Sequence, residues 1–382
     1  MSSPDLFILQ ASLNHSRVNI MSSEFAPHSR DEWLTQAKKN LKADDLSALH
    51  WEVEPGLWID PFLTPEQEVV QLHWPHQPPF FAGVNLLWSG SAVMHLALTN
   101  AVQRGCQAVW FYQVPVITEP DWDALVGELD PCSVRWGFYG RQADELMKTM
   151  RHWAAWLRTR GLEPQRVPSV WGLSGPTDAP QQKEIAKIIF ELCNQQAGWS
   201  WCVQVPSGLW PSDVLSKATL AQHQAYQSWQ KVGWSRQALS DSFVFSIVTD
   251  HAFLRTAALL RAWRWVATLL AEYHEVPEMH PSFDLQVKAE QNLSLEQQLI
   301  HFTAISLAGA LGGANRLSLQ AAEWNQGEAY VLRLQHALQI LKLESRVTQT
   351  KDAWAGSYVM DHLTEQLARL VWDKFLAELK NE

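Results

Sequence analysis

Eight apolar runs, separated by stretches with helical periodicity, fill the sequence after residue 80. The runs predict strands at about 80–88, 107–114, 132–139, 167–173, 199–205, 243–249, 277–284 and 315–320. Strands that are apolar along their whole length are typical of a parallel sheet with both faces covered. Eight strands that alternate with helices predict an α/β fold, a closed (β/α)₈ TIM barrel.

The predicted helices lie between these strands, at about 90–104, 121–129, 142–160, 180–197, 211–231, 251–272 and 293–311, with two more near 326–343 and 361–379. An open, doubly wound sheet is the alternative arrangement of the same elements. It is disfavoured because no strand is followed by a G-x-G-x-x-G or G-x-x-x-x-G-K phosphate loop. The seventh strand is the least regular, because Pro277 and Pro281 interrupt it.

The residues before the barrel predict an N-terminal arm. Residues 30–42 have a helical period, with Ser29 as N-cap and Glu32 completing a capping box. Residues 43–79 contain many prolines, which exclude helix interiors and central strands, so an extended segment is expected. The predicted organisation is an irregular N-terminus at 1–28, a helix and extended arm at 29–79, and the barrel at 80–382. Because Met21-Ser22-Ser23 repeats Met1-Ser2-Ser3, Met21 is an alternative translation start.

The charge and the cysteines exclude several classes of protein. The net charge is −10, whereas nucleic-acid binding needs clustered Lys and Arg. No C-x-x-C pair occurs, and we interpret all four cysteines as buried thiols in a reducing compartment: Cys106, Cys132, Cys193 and Cys202. No apolar run is as long as a membrane span and the N-terminus lacks a signal-peptide pattern, so a cytoplasmic location without membrane attachment is expected.

The chain contains 21 tryptophans, an unusual number that can indicate a sugar-binding surface. Several of them, however, occupy apolar positions of the predicted helices: Trp153, Trp156, Trp263, Trp265 and Trp372. This placement favours packing in the protein core over an exposed binding surface.

Functional groups of such a barrel lie at the carboxyl ends of its strands. Those ends are polar here but lack a catalytic pattern, since neither H-E-x-x-H nor G-x-S-x-G occurs. Asp250 and His251 suggest either a general base or an N-cap followed by a histidine in the first helical turn, and the second interpretation is favoured. His280 is a candidate ligand or a hydrogen-bonded rim residue. Asp250 and Asp284 could approach each other as a carboxylate pair.

Three segments of the sequence resemble the methylmalonyl-CoA mutase family. The first matches the family's W-x₃-A-x₃-L-K … L-x-W … G-x-x-I-x-P-x-x-T arm through Trp33, Ala37, Leu41-Lys42, Leu49, Trp51, Gly56, Ile59, Pro61 and Thr64. The second is similar to the family's A-x-x-G-G-A-D segment and contains Gly312-Gly313-Ala314-Asn315. The third is similar to D-P-x-G-G-S-Y-Y … L-T … L-A and contains Asp352-Ala353-Trp354-Ala355-Gly356-Ser357-Tyr358, Leu363-Thr364 and Leu367-Ala368. Residues 253–264 also resemble the family's F-F-x-E-x-A-K-L-R-A-x-R helix.

Members of this family rearrange the carbon skeleton of an acyl-CoA. The resemblance therefore implies a barrel that binds acyl-CoA, and a separate α/β domain that brings adenosylcobalamin over the barrel mouth. The family's cobalamin domain carries a D-x-H-x-x-G loop whose histidine ligates cobalt, and this sequence has no such motif. We therefore expect this chain to bind no cofactor itself.

The sequence departs from the family pattern where active members carry charged or hydrogen-bonding side chains. In the segment that corresponds to R-P-W-T-I-R-Q-Y-A-G, the second Arg becomes Pro79 and the Tyr becomes Phe81. These changes remove a bidentate anion contact and a hydroxyl donor. Similar replacements fall at the family's other Glu, Lys, Arg, Asp, Gly and Tyr positions: Thr256, Leu259, His301, Ile305, Asn315, Ala355 and Val359.

The departures predict a small-subunit-like, catalytically inactive barrel that pairs with a catalytic large subunit as a heterodimer, or with itself as a homodimer. The alternative is an acyl-CoA-binding component of an isomerase whose cobalamin subunit is separate. A barrel repurposed for another ligand is the third hypothesis. Whether the chain is an enzyme stays open, and no catalytic or metal-binding residue is assigned. The candidate substrate-binding residues, from family positions or the barrel mouth, are Phe81, His251, His280, His301 and Asn315.

Overall fold

The computed structural model describes residues 29–380 apart from 44, 61, 64–79, 175–178, 194–197, 206–209, 240–241, 250–251, 277–281, 289–292, 321–327, 348 and 351. The chain divides into two compact units. The first unit comprises Met1–Trp74 with Trp354–Gln366, and the second comprises Pro75–Ala353 with Leu367–Glu382.

The first described element of the first unit is helix α1 (Arg30–Leu41). The predicted capping box is confirmed, because the Ser29 hydroxyl accepts from the Glu32 N–H at 3.3 Å and the Ser29 N–H donates to the Glu32 carboxylate at 3.1 Å. Trp33 of this helix stacks on Phe62, with ring centroids 4.7 Å apart. The stacking orders residues of the arm against the helix.

The arm contains an antiparallel hairpin that the sequence did not predict. Strands β1 (Trp51–Glu54) and β2 (Leu57–Ile59) pair around a turn at Pro55 and Gly56. Gly56 has a φ of +83°, which a residue with a side chain rarely adopts. The expectation of an extended arm was wrong here, because proline is compatible with a turn although it excludes a central strand. Much of the remaining arm, residues 64–79, lies outside the described residues.

The second unit contains a closed barrel of eight parallel strands, which confirms the predicted fold. The strands are β3 (Phe81–Leu87), β4 (Ala108–Val114), β5 (Arg135–Gly140), β6 (Ser169–Leu173), β7 (Trp199–Val205), β8 (Phe243–Thr249), β9 (Ser282–Val287) and β10 (Arg316–Leu319). Each strand pairs with the next, and β10 pairs with β3 to close the ring. This closure excludes the open, doubly wound sheet.

Helices connect the strands and cover the barrel. They are α2 (Ser91–Gln103), α3 (Glu119–Val126), α4 (Ala143–Thr159), α5 (Ala179–Leu192), α6 (Pro211–Val232), α7 (Arg236–Leu239), α8 (Phe253–Tyr273), α9 (Leu295–Gly312), α10 (Glu328–Leu343) and α11 (Tyr358–Leu379). Short 3₁₀ helices occur at Ser47–Leu49, Pro131–Ser133 and Pro164–Arg166. As predicted, Gly313 ends α9 in the left-handed conformation. Among the described helices, none combines the length and the apolar character that a membrane crossing requires.

The core between the strands and the helices is aromatic. The five tryptophans that the sequence placed in the core are all buried, as are further tryptophans on the strands and on α3. Trp122 of α3 packs against Trp153 of α4 with ring centroids 4.5 Å apart, and Trp153 stacks on Trp156 at 5.1 Å. The tryptophan excess is therefore largely a property of this buried layer.

Two further details of the sequence-based prediction were wrong. The seventh barrel strand begins at Ser282 and extends to Val287, whereas the prediction ended it at Asp284. Asp284 and Gln286 are polar residues inside the barrel. Because they interrupt the apolar run, the sequence pattern did not indicate that the strand continues to Val287. Cys132 is exposed in a short 3₁₀ helix, although Cys106, Cys193 and Cys202 are buried as expected.

Candidate functional site

The barrel interior is the most distinctive part of the described structure. Every second residue of a barrel strand points inward, and the inward residues here fall into two groups that we name by their chemistry. The polar cluster consists of Asn85, Ser246, Asp284, Gln286, Arg316 and Ser318. The aromatic cluster consists of Trp110, Tyr112, Tyr139, Val170, Cys202 and Val244.

The centre of the polar cluster is a buried ion pair between Arg316 and Asp284. The Arg316 guanidinium donates to Asp284 Oδ1 at 2.6 Å. The second carboxylate oxygen, Oδ2, accepts from the Ser246 hydroxyl at 2.7 Å and from the Gln286 amide at 3.1 Å. A buried ion pair is stable only when such additional hydrogen bonds satisfy both charged groups. The carboxylate of Asp284 is thus saturated by its neighbours.

Arg316 also joins the two strands at which the barrel closes. Only two residue pairs of β10 and β3 are in register, Arg316 with Phe81 and Leu317 with Ala82. Beyond them, the guanidinium donates to the Val84 carbonyl at 2.9 Å and to Asn85 Oδ1 at 2.6 Å. The Asn85 amide in turn donates to the carbonyl of the last residue of β10 at 2.5 Å. Side-chain hydrogen bonds therefore supplement the short ladder of backbone hydrogen bonds between β10 and β3.

The aromatic cluster occupies the rest of the barrel cross-section. Tyr112 stacks on Tyr139 with ring centroids 4.4 Å apart, and Trp110 lies 5.3 Å from Tyr139. The two clusters touch, because the Arg316 guanidinium lies 3.9 Å from the Trp110 ring centroid and the Gln286 amide donates to the Tyr112 hydroxyl at 2.6 Å. Large side chains consequently fill the centre of the barrel where the two clusters meet.

Glycines on neighbouring strands make room for these large side chains. A Cβ atom at Gly137 would overlap the Trp110 ring, and one at Gly83 would overlap the Arg316 guanidinium. The close approach, and not a positive φ, requires glycine at these positions. Small and large residues thus alternate around the barrel, as dense core packing requires.

The tyrosine and cysteine side chains of the interior hold their protons. Burial, with the Asp284 charge as a second cause, raises the pKa of Tyr112 well above its ordinary value. Burial likewise raises the pKa of Tyr139 and that of the Cys202 thiol. Since the Asp284 carboxylate is saturated by hydrogen bonds, this interior offers no group suited to general acid–base catalysis. In the part of the chain that the structure describes, no three His, Cys, Asp or Glu side chains converge to hold a metal ion.

The carboxyl-terminal mouth of the barrel is described only in part, because 175–178, 206–209, 250–251, 289–292 and 321–327 fall in its loops. Leu87 and Lys288 are exposed at the ends of β3 and β9. Gln113 has a φ of +57°, and its side-chain oxygen accepts from Arg141 at 2.6 Å. Strained residues of this kind cluster at functional sites, but no reacting group accompanies Gln113 among the described residues.

Two of the predicted site residues lie together at the opposite, amino-terminal end of the barrel. The Phe81 N–H donates to the Asn315 carbonyl at 2.7 Å, and Asn315 Oδ1 accepts from the Phe283 N–H at 2.8 Å. Asn315 thereby fixes the starts of three strands. Its role in substrate binding, like that of Phe81, stays a prediction.

The three histidines predicted at the site do not come together in the described structure. His301 lies in the second turn of α9, outside the barrel wall, and its Nε2 has no hydrogen-bond partner. His251 and His280 lie outside the described residues, as does Asp250 with its predicted cap. Asp284 is bonded to Arg316 within the barrel, and its predicted approach to Asp250 stays untested.

The two arginines of the Phe253–Arg264 segment that match the family pattern have structural partners. Arg261 on α8 pairs with Asp352 at 2.5 Å, and both side chains are buried. Arg264 donates to the Gly313 carbonyl at 2.7 Å, and burial lowers its pKa to about 10. Each arginine therefore connects one segment of the family pattern with another. At the Glu and Lys positions of the same pattern, Thr256 and Leu259 are buried.

The sequence analysis missed the residues that define the interior, above all Arg316, Tyr112 and Gln286. One signal could have found them, namely that polar residues at alternate positions of an otherwise apolar strand point to the same side. Asp284 and Gln286 on β9, and Arg316 and Ser318 on β10, follow this pattern.

Residues 217–380 match the family model described as Methylmalonyl-CoA mutase. This match supports a place in the methylmalonyl-CoA mutase family. It covers the chain from α6 to the end of α11 and includes the G-G-A-N and D-A-W-A-G-S-Y segments, but not the arm. Among curated proteins, none matches the chain.

Several solved structures are similar in outline. Dihydropteroate synthase from Yersinia pestis is 13% identical, with a TM-score of 0.41, over 78% of this chain and 99% of that chain. The enzyme from Xanthomonas albilineans in complex with 7,8-dihydropteroate is 11% identical, with a TM-score of 0.41, over 71% and 95% of the two chains. A truncated 3-deoxy-D-arabino-heptulosonate 7-phosphate synthase from Thermotoga maritima is 9% identical, with a TM-score of 0.38, over 71% and 88%. Similarity at this level carries no argument about function.

Proposed function

We propose that this chain is a non-catalytic, small-subunit-like member of the methylmalonyl-CoA mutase family that binds and stabilises a catalytic, cobalamin-dependent subunit. The packed barrel interior carries the proposal. Trp110, Tyr112, Tyr139 and Arg316 are buried and in contact across the axis. An acyl-CoA chain would have to displace them to enter the barrel, at the cost of a buried ion pair.

The pattern of retained and replaced residues supports the same proposal. Arg261 and Arg264 keep structural partners that hold the family segments together. The positions with a family Glu and Lys carry the buried Thr256 and Leu259, which have no charge to pair with a charged ligand. Loss of ligand-binding side chains together with retention of these structural pairs is what a non-catalytic barrel would show.

The expectation that this chain binds no cofactor itself belongs to the same proposal. In the part of the mouth that the structure describes, Leu87, Gln113, Gln204, Lys288 and Gln320 include no imidazole for a cobalt ion. In the proposed complex, the catalytic subunit supplies the cofactor and the radical chemistry. This chain contributes contact area and stability.

A cytoplasmic location belongs to the same proposal. Cys106, Cys193 and Cys202 are free and buried, and burial raises the pKa of Cys106 to about 11. Thiols held in this state are compatible with a reducing compartment.

Affinity purification of the tagged, full-length protein from its own cells tests the proposal. We expect a larger mutase subunit to co-purify, and the eluate to show mutase activity that depends on adenosylcobalamin and on that subunit. Recovery of this chain alone, or with a small cobalamin-binding protein, would contradict the proposed pairing and favour the acyl-CoA-binding alternative.

Titration of the isolated protein with an acyl-CoA separates the two hypotheses directly. We expect no heat of binding at millimolar ligand. The control is the mutase complex, which should bind the same acyl-CoA through its catalytic subunit. Binding of the acyl-CoA to the isolated chain with a dissociation constant in the micromolar range would contradict the non-catalytic assignment.

A further inference from the structure

Two histidines join three helices on the outside of the barrel. His223 lies in α6 and is buried, and His274 is the half-buried C-cap residue of α8. Their rings are hydrogen-bonded, with His223 Nδ1 3.0 Å from His274 Nε2. The His223 ring centroid also lies 5.5 Å from that of Phe375 on α11. A bond between two imidazoles therefore lies where α6, α8 and α11 meet.

A third polar side chain fixes the direction of this bond. The Gln227 amide nitrogen lies 2.9 Å from His223 Nε2. An amide nitrogen only donates, so His223 Nε2 accepts and the proton of this ring is on Nδ1. His223 Nδ1–H therefore donates to His274 Nε2, which carries no proton. The series of bonds from Gln227 through His223 to His274 consequently requires that both rings are neutral.

Two other histidines of the same unit are bonded in a way that tolerates a second proton. Nδ1 of His95 lies 2.9 Å from the Leu125 carbonyl, and Nδ1 of His152 lies 2.8 Å from the Ile117 carbonyl. A carbonyl oxygen only accepts, so each Nδ1 carries a proton, and the bond remains when the ring becomes charged. A bond between two imidazole rings has no such tolerance.

The surroundings of His274 also favour its neutral form. The rings of Tyr226 and Tyr273 both lie 5.2 Å from the His274 ring, centroid to centroid. Burial, with the neighbouring His223 as second cause, lowers the pKa of His274 to about 4. A positive charge on this ring would thus be formed among aromatic side chains and beside a second imidazole.

The charged and titratable groups of the neighbouring elements do not offset this preference. Burial raises the pKa of Glu272, so this carboxylate is neutralised earlier on acidification than an ordinary glutamate. Burial also raises the pKa of Tyr226, whose hydroxyl stays neutral at acid pH. The groups of α7 and α11 are engaged in ion pairs with other partners, namely Arg236–Glu275 and Lys374–Asp213.

We propose that His223 and His274 form an acid-sensitive latch that holds the end of α8 against α6 and supports α11 through Phe375. Uptake of one proton by His274 Nε2 removes the acceptor of the bond and brings two N–H groups face to face. The contact then opens, and the C-terminal half of α11 loses the ring that supports Phe375. The latch lies outside the barrel and does not depend on the proposed pairing with a mutase subunit.

The direction of the pH effect follows from the two states of the chain. A histidine of the unfolded chain takes up a proton near pH 6.5, its ordinary pKa, whereas His274 in the folded chain does so near pH 4. The stabilisation by the latch is therefore complete above pH 6.5 and is lost as the pH falls from 6.5 towards 4. In this window one proton raises the equilibrium constant for opening by at most about tenfold per pH unit.

NMR of the full-length protein with isotope-labelled histidine tests the protonation state directly. The His274 ring signals are assigned through their loss in H274Q. We expect them to keep the neutral form at pH 7, 6 and 5. A His274 ring that is half protonated by pH 6 or above would overturn the proposal.

The stability of α11 gives a second readout, through hydrogen exchange and Tm at pH 7 and pH 5. Between these values the unaltered protein should lose protection in the C-terminal half of α11, relative to intrinsic exchange, and its Tm should fall. In H274Q both losses should be smaller, because the glutamine oxygen accepts from His223 but takes up no proton in this range. The matched control is H152Q, which should show the pH dependence of the unaltered protein.

A second variant keeps the test decisive if H274Q does not fold. In H223Q the amide can donate to a neutral His274 ring, or rotate and accept from a charged one, so the pH dependence should again be smaller. The same loss of protection and of Tm in the unaltered protein and in the variants of the latch would overturn the proposal.

Discussion

The polar and aromatic clusters fill one barrel interior by two different physical means. The polar cluster relies on directed bonds, since Asp284 binds Arg316, Ser246 and Gln286 at 2.6–3.1 Å. The aromatic cluster relies on shape, with Tyr112 stacked on Tyr139 and Trp110 accommodated by a glycine. The polar cluster lies where β10 and β3 close the barrel with only two residue pairs in register. Directed bonds are found where the alignment of strands must be fixed, and shape complementarity where volume must be filled.

The difference determines how each cluster fails when it is altered. Loss of one partner in the polar cluster leaves a buried charge without compensation, which costs more than the pair itself contributes. Loss of a ring in the aromatic cluster leaves a cavity, and its cost depends on how far the surroundings collapse. A substituted polar cluster is therefore repaired by removing the other charge, whereas a substituted aromatic cluster is repaired by refilling the space.

The largest effect is expected from Asp284→Asn. The amide has the shape of the carboxylate but leaves Arg316 charged and buried, so the free energy of unfolding should fall by about 3–5 kcal/mol. Urea unfolding, followed by fluorescence and circular dichroism, measures the change. Asp123→Asn removes the partner of the exposed Arg160 and should change the stability little.

A double variant sharpens this prediction. Asp284→Leu combined with Arg316→Met removes both charges and replaces them with apolar side chains. Because a buried pair is often replaceable by well-packed apolar residues, the double variant should be more stable than Asp284→Asn. Equal or greater destabilisation in the double variant would mean that the bonds of Arg316 to Val84 and Asn85, and not the charge balance, fix the closing strands.

The second effect, on the aromatic cluster, is expected from Trp110→Ala. The lost ring leaves a cavity beside Gly137, and the free energy of unfolding should fall by about 3 kcal/mol. Added indole should fill the cavity and raise the Tm of this variant but not that of the unaltered protein. Trp58→Ala, at an exposed position of the hairpin, is the matched control. It should leave the free energy of unfolding nearly unchanged, and indole should not raise its Tm. If indole does not raise the Tm of Trp110→Ala, the neighbouring side chains have collapsed into the cavity, and shape complementarity contributes less to the aromatic cluster.

The barrel was predictable because its evidence is local and repeated. Strands β7 and β8 match their predicted ranges residue for residue, since each is a dense apolar run between helical patterns. The tryptophans were correctly assigned to the core because helical spacing places them on buried faces. The hairpin in the arm was missed because Pro55 suggested an extended chain, while Gly56 already provided the turn.

The barrel interior was not predictable in the same way, because its contacts join residues that are distant in sequence. Asn85 and Ser318 are separated by 233 residues, and Tyr112 and Gln286 by 174. Alternation within a strand shows that a side chain points inward, but not which side chain faces it across the barrel. Asn315 was named a candidate from its family position, and its bonds to the starts of neighbouring strands also join residues that are distant in sequence.

The smallest effect compares one tyrosine that touches the polar cluster with one that does not. The Tyr112 hydroxyl accepts from the Gln286 amide at 2.6 Å, so Tyr112→Phe leaves a buried donor with one partner fewer and should cost about 1 kcal/mol. The Tyr139 hydroxyl forms no hydrogen bond with a nitrogen or oxygen atom and faces the weakly polar Cys202 thiol. Tyr139→Phe keeps the stacked ring and should leave the unfolding free energy unchanged or slightly higher. Equal losses for the two variants would show that directed bonds extend through both clusters, and that the division between bonding and shape does not hold at their border.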